Sequence, residues 1–419
     1  MQLLIKKAII LSPGSKFHAK KKDILIKNGV IESIGDQLAA KSARIIEAKN
    51  CYISIGWFDL FADFCDPGNE QKETLLSGSH AAAAGGYTDV CLIPNNQPVT
   101  SGKSAVEYIK SKSDLVTLHP IGSVSKNTEG KDLAEMYDMK LSGALCFSDG
   151  KKPLQHTGLM LKALQYIKTF QGTILQIPED TSVAPHGLMN EGLISTQLGI
   201  QGKPAISEWI MVQRDLELLK YTNSSLHLTG ISSKRSLDLI RQAKKQGLNI
   251  SCSVTPYHLL FSDSSLNTYD SLYKVNPPLR TEADRKALIK GVEDGTIDCI
   301  ASHHIPQDWD AKVREFEYAS SGMIGLQTVL PMLLQCEAKV NIERWIEMLT
   351  TNPRNILKVA YKGIEEKQPA CLTVFSTSEK WRFNEQSNLS KSKNSPLFGH
   401  ELTGKVLAIV NNHRTAIYE

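Results

Sequence analysis

The chain has 419 residues, 41% of them hydrophobic and 22% charged, so it can enclose a large core and is neither fibrous nor dominated by disordered segments. Its net charge is only +4 and, apart from Lys20, Lys21 and Lys22, the cations are scattered, which argues against nucleic acid or an anionic membrane as a partner. Eight cysteines lie far apart without a Cys-x-x-Cys pair, mostly in apolar runs, as expected of reduced core thiols in a cytoplasmic protein.

The opening run "MQLLIKKAIILSPG" is broken by two lysines and is too short and too charged for a signal peptide or a membrane span. The first fifty residues read as short strands: "LLIKKAIILSPG", "KDILIKNGVIESIG" with a hairpin turn at Asn28-Gly29, and "ARIIEAKNCYISIG". Short apolar or β-branched runs then alternate with helical patterns. The strand candidates are "YTDVCLIP", "LVTLHPIG", "GALCFSDG", "GTILQIPED", "SSLHLTGIS", "LNISCSVTPYHL" and "TIDCIASHH". The helix candidates include "TLLSGSHAAAAGG", "GLMLKALQYIKTF", "SEWIMVQRDLELLKYT" and "SSKRSLDLIRQAKKQG". Seven or eight such steps predict an α/β fold with a parallel sheet closed into a (β/α)8 barrel. An open doubly wound sheet is the runner-up, disfavoured because no GxGxxG follows any strand. At the end, "ACLTVFST", "KWRFN" and "GKVLAIVNNHRTAIYE" read as strands, with Asn411-Asn412 turning a closing hairpin. Neither end holds enough apolar surface to stand alone, so residues 1–52 and 363–419 are expected to pair into one small β-sandwich module beside a barrel of residues 53–362.

Several runs carry a family resemblance. "GNEQKETLLSGSHAAAAGGYTDVCLIPNNQP", "PHGLMNEG", "SEWIMVQRDLELL", "HLTGISSKRSLDLIRQAKKQGLNISCSVTPYHLL", "YKVNPPLRTEADRKALIKGVEDGTIDCIASHHIPQ" and "SKSKNSPLFG" closely resemble the long-type dihydroorotases of the amidohydrolase superfamily. The resemblance spans nearly the whole chain in order and implies a metal-dependent barrel of that type. In that family zinc lowers the pKa of a bound water that opens a cyclic amide, and imidazoles and carboxylates at the strand ends hold the metal.

The ligand positions that the resemblance implies are altered in this chain. The family's His-x-His-Leu-Arg-x-Pro-Gly reads Phe61, Ala62, Asp63, Phe64, Cys65, Asp66, Pro67, Gly68, without either histidine or the arginine that would meet a substrate carboxylate. The Asp-Asp-Gly element keeps Asp149 but has Gly150 next to it. His-x-Glu-Asp reads Ile177, Pro178, Glu179, Asp180, and in His-x-x-His-x-Ser the ligating histidine is Gly230. The final Asp-His-Ala-Pro-His reads His303, His304, Ile305, Pro306, Gln307, which puts an imidazole where the family has its general base. Of six ligand positions, Asp149 alone keeps its type, Asp63 and His303 hold other donors, and Phe61, Ile177 and Gly230 hold none.

The expectation is therefore a dihydroorotase-like pseudoenzyme of pyrimidine biosynthesis with no bound metal and no cofactor. The resemblance implies assembly into an oligomer with aspartate transcarbamoylase as partner. The competing reading is an active cyclic amidohydrolase with a zinc held atypically by Asp63, Asp149 and His303 or His304, although adjacent strand residues point to opposite faces. A third is a small-molecule sensor using the old pocket. Asn95 and Asn276 occupy positions that hold or surround substrate in the family, as residual ligand contacts or as loop scaffolding. His227 and His258 read as structural, Glu179 and Asp180 as loop-fixing, and Cys65 as a thiol without an activating base.

Overall fold

The computed structural model describes residues 2–418. Eight strand positions follow the first turn of the barrel in chain order. Trp57–Ala62, Tyr87–Leu92 and Thr117–Pro120 pair in parallel, and Ile174–Gln176, Leu226–Leu228, Ile250–Val254 and Cys299–Ile300 form a second parallel run. The two runs join through Phe147, which bridges Gly122 on one side and Ile174 on the other. They close where His304 bridges Ala62 and Asp63 N–H donates to the His304 carbonyl at 2.9 Å. The (β/α)8 barrel is thus complete, with its fourth strand reduced to a single bridging residue.

The helices lie where the sequence periodicity puts them. Thr74 caps Leu75–Ala84 in a reciprocal arrangement with Ser77, Ser233 caps Lys234–Lys245, and His156 caps Thr157–Lys168. Their apolar faces pack on the outside of the strands, Leu159, Ala163, Leu164, Ile167, Leu237 and Ile240 among them. The strands' inward positions form a separate cluster of Phe61, Cys91, Ile93, Cys146, Leu175, Ile177 and Cys299.

The two termini share one eight-stranded sheet. Cys371–Arg382 pairs antiparallel with Cys51–Ile55 and with Glu401–Asn411, which ties the C-terminal strands to the N-terminal ones. A bulge between Ile5 and Ala8 lets Gln2–Leu11 pair with Arg44–Ile46 along its first half and with Cys51–Ile55 along its second. "ACLTVFST" and "KWRFN", read as two strands, are one continuous strand whose register shifts past Ser376. The closing turn is Asn412-His413, one residue later than the sequence suggested, because Asn411 still pairs with Arg414. The Asn28-Gly29 hairpin stands as read, both residues at positive φ. All eight cysteines are free thiols, and among the described residues no helix is long and apolar enough to cross a membrane.

Arg354 fastens the sheet to the barrel. Its guanidinium donates to the Gly56 carbonyl at 2.7 Å, at the junction of the two parts, and to Asp89 at 2.7 Å on the second barrel strand. Changing Arg354→Met takes the guanidinium from Asp89, which keeps His119 and Thr88, and leaves the Gly56 carbonyl without that donor. We expect a loss of about 3–5 kcal/mol in urea unfolding, the range for breaking a buried pair from one side.

Candidate functional site

At the C-terminal mouth of the barrel lies a cavity of about 320 Å³, lined by the apolar Phe61, Ile177 and Val275 and by Lys151, Lys203, Asn276, Tyr257 and His303. This is the end of the fold where strand-end residues meet a ligand. Five of its lining groups come from different strand ends, so the fold supplies a site.

Asp63 is 3% exposed at its side chain, and Lys151 Nζ meets its Oδ2 at 2.6 Å, while its Oδ1 accepts the Cys65 N–H at 2.9 Å. Lys151 sits in the loop after Phe147, and that loop is held by Asn95, whose amide donates to the Asp149 carbonyl at 3.0 Å and accepts from Lys151 N–H at 2.8 Å. Asn95 is therefore a loop clamp, with the cavity lined by its neighbour Lys151 instead. Asp149 itself turns into the preceding loop: Oδ1 accepts the Val124 and Ser125 N–H groups, both at 2.9 Å, and Oδ2 accepts the Ser125 hydroxyl. Burial pushes the Asp149 carboxyl up, and the Ser125 bonds pull against it.

Phe61 stacks on the His303 ring with centroids 4.3 Å apart. Gly230 sits at φ +73°, and a Cβ there would stand 2.7 Å from His303 Cε1, so the imidazole occupies the room that a side chain at 230 needs. His303 Nε2 bonds Thr229 Oγ1 at 2.8 Å, and burial, with His258 and His227 nearby, pushes this imidazole down to about 3. His304 points away: Nε2 lies 3.3 Å from Glu73 Oε2 and Nδ1 accepts Gly325 N–H at 3.2 Å. The adjacent imidazoles do not converge.

Asn276 does line the cavity, in a buried triangle: it donates to Glu179 at 2.8 Å, and Lys203 Nζ reaches Glu179 at 2.5 Å and the Asn276 carbonyl oxygen at 2.9 Å. Glu179 thus fixes the loop carrying Lys203, and Asp180 caps its own turn through Ser182 at 2.9 Å. His258 is structural, bound to Thr255 at 2.7 Å and to the Pro277 and Pro278 carbonyls. Cys65 lies outside the cavity lining, and burial pushes its thiol up. Lys151 and Lys203 were not anticipated from the sequence. The available signal for Lys151 was "SDGKKP", where cations directly follow a strand end.

These residues do not fit a zinc or a zinc pair. Asp63 is committed to an ammonium, Asp149 to a loop, His304 to Glu73, and Phe61, Ile177 and Gly230 offer no donor. Among the described residues no three His, Cys, Asp or Glu side chains gather where one ion could be held. The atypical centre of Asp63, Asp149 and either histidine is not assembled.

Comparison with known proteins gives the lineage. Residues 52–236 match the model of a family described as dihydro-orotase-like, and residues 179–410 match the amidohydrolase family. A dihydroorotase of Acetivibrio thermocellus is 36% identical over 423 aligned residues, covering 100% of this chain and 99% of its own. One of Aquifex aeolicus is 36% identical, with 98% of each chain covered. Among solved structures, an L-hydantoinase (dihydropyrimidinase) from Arthrobacter aurescens superposes with a TM-score of 0.83 at 22% identity, covering 97% of this chain and 94% of that one. That likeness shows the fold.

Two predictions follow from this geometry. Lys151→Met leaves a buried carboxylate without its cation and costs about 2 kcal/mol, less than for a fully buried pair because the lysine is 43% exposed. Adding Asp63→Asn to it restores most of the loss, as read by urea unfolding of both variants. The second concerns acid. Burial holds His227 down to about 3 and His258 down to about 4, both below the unfolded value of 6.5. Groups with depressed folded values stabilise fully above 6.5 and lose that contribution as the pH falls through the interval. Stability should drop by about 1.4 kcal/mol per pH unit for each such histidine below 6.5. In His227→Gln the slope between pH 6 and 4 is correspondingly shallower.

Proposed function

The chain belongs to the dihydroorotase family, and we propose that it is a member whose barrel no longer opens the dihydroorotate ring. The observation that carries this reading is the occupation of the ligand positions by one another: Phe61 is stacked on His303 and Asp63 is neutralised by Lys151. Ring opening at neutral pH needs an activated water and a base to receive its proton. His303, at the family's base position, is held down to about 3, so at neutral pH it is too weak a base to take a proton from water.

The retained role in this reading is structural: a cytoplasmic subunit in an oligomer with aspartate transcarbamoylase, within pyrimidine biosynthesis. One feature supports it. The family resemblance extends over the full length, with relatives aligned to 98–100% of this chain, so the shell of the fold has been kept while its centre has changed.

The decisive measurement is elemental analysis after incubation with zinc and gel filtration, with dihydroorotate hydrolysis assayed on the same fraction. The expected outcome is no retained zinc and no turnover; stoichiometric zinc with turnover would overturn the proposal. For the partner, aspartate transcarbamoylase should co-purify from native extract without a tag, and absence of association with both proteins at micromolar concentration would rule that role out.

A further inference from the structure

Inside the barrel, beneath the cavity, three hydroxyls and two imidazoles form one unbroken line. His227 Nδ1 lies 2.8 Å from Ser251 Oγ, and its Nε2 lies 3.0 Å from Ser253 Oγ. Ser253 Oγ donates to Thr229 Oγ1 at 2.8 Å, and Thr229 Oγ1 lies 2.8 Å from His303 Nε2. The placement follows from strand alternation: residues 227 and 229, and 251 and 253, face the same interior side of neighbouring strands. Ser251 is half-buried at the lower end; the other members are buried.

Each hydroxyl has a single proton, and that fact sets the direction of the whole line. Ser253 gives its proton to Thr229, so toward His227 it can only accept, and His227 must carry its hydrogen on Nε2. The lone pair of His227 Nδ1 is then the acceptor for Ser251. At the other end, Thr229 already accepts from Ser253. The one acceptor left for its buried proton is His303 Nε2, because leaving it unbonded would cost the desolvation of the group. His303 Nε2 is therefore a lone pair, and its hydrogen sits on Nδ1. Four bonds run in one direction, a disposition in which each strengthens the next.

Among the described residues none bonds His303 Nδ1, and His303 lines the cavity. Lys151 and Lys203 line the same space with ammonium hydrogens to spare, since Lys151 spends one on Asp63 and Lys203 spends two on Glu179 and Asn276. The same space is also lined by the aromatic ring of Phe61 and by Ile177 and Val275. Donors beside an aromatic and aliphatic lining define the complementary molecule.

We propose that the line from Ser251 to Thr229 locks His303 as a hydrogen-bond donor toward the cavity, so that the cavity holds a small flat molecule by an accepting oxygen and takes no proton from it. This deepens the reading of a cavity without metal and rests on it. The position that would receive a proton in a hydrolytic relative here offers one in a hydrogen bond. His303 is on this account a positioning and specificity residue.

The test uses the full chain labelled with 15N-histidine at pH 7.5, with ring nitrogens correlated to ring protons and the His303 pattern assigned by its loss in His303→Gln. The expected result is a neutral His303 protonated on Nδ1 and a neutral His227 protonated on Nε2. A His303 protonated on Nε2, or on both nitrogens, would overturn the lock. Thr229→Val removes the only donor to His303 Nε2, and the His303 pattern should then move toward the other tautomer or an average. An unchanged pattern in that folded variant would show that the line does not set the tautomer.

For the ligand, benzoate and benzylamine serve as probes of equal size and opposite polarity. Benzoate should shift the His303 Nδ1 signal and raise the thermal midpoint, and benzylamine should do neither. Binding of benzylamine alone, or of neither probe, would overturn the ligand class. Turnover of dihydroorotate by the same zinc-treated sample would instead overturn the reading of an inactive barrel, and the tautomer pattern reports separately from it.

Discussion

A carboxylate buried at the mouth of a barrel has to meet a positive charge, and the placement of Asp63 imposes that demand on everything around it. Lys151 meets it from the loop after Phe147. That loop is held in turn by Asn95, which grips the backbone on both sides of Gly150, and by Asp149, which gathers the backbone of Val124 and Ser125. Three consecutive strand ends are thereby joined to the first through a single ion pair. The energetic logic is that of any buried pair: each member is costly alone and tolerable together.

The barrel interior divides along its axis. One side is filled by Cys91, Ile93, Cys146, Leu175 and Ile177, and the other carries the hydroxyl and imidazole line from Ser251 to His303. The apolar side lowers the local dielectric around the polar one, which keeps His227 and His303 neutral and makes each missing hydrogen bond expensive. A polar strip of this kind persists only if every member is satisfied, and in this one the single open group is the one that faces the cavity.

Much of the architecture was legible in the chain because it rests on local periodicity. The alternation of runs such as "YTDVCLIP" with runs such as "SSKRSLDLIRQAKKQG" is enough for a barrel, and Asn28-Gly29 is enough for a hairpin turn. The fourth strand was read from "GALCFSDG" as an ordinary one, yet only Phe147 bridges, because Asp149 draws the following residues into the neighbouring loop. The emptied ligand positions could be read residue by residue from the resemblance. What filled the space could not. That Phe61 would lie on His303, or that Lys151 would reach Asp63 across 88 positions of sequence, depends on distances between strand ends that no local pattern encodes. The direction of the interior hydrogen bonds is further still from the sequence, since it emerges from counting protons among five side chains brought together by the closed sheet.

The contact between Gly230 and His303 limits what position 230 can hold. With Cβ space at 230 taken up by an imidazole carbon 2.7 Å away, and with the Gly230 backbone at φ +73°, a larger side chain does not fit that position while His303 remains. His303 in turn is wedged against Phe61 and bonded to Thr229. Placing a side chain at 230 would have to change several interlocked residues at once, and the intermediates would carry a clash or an unpaired buried group. The position behaves like a latch: no single substitution opens it.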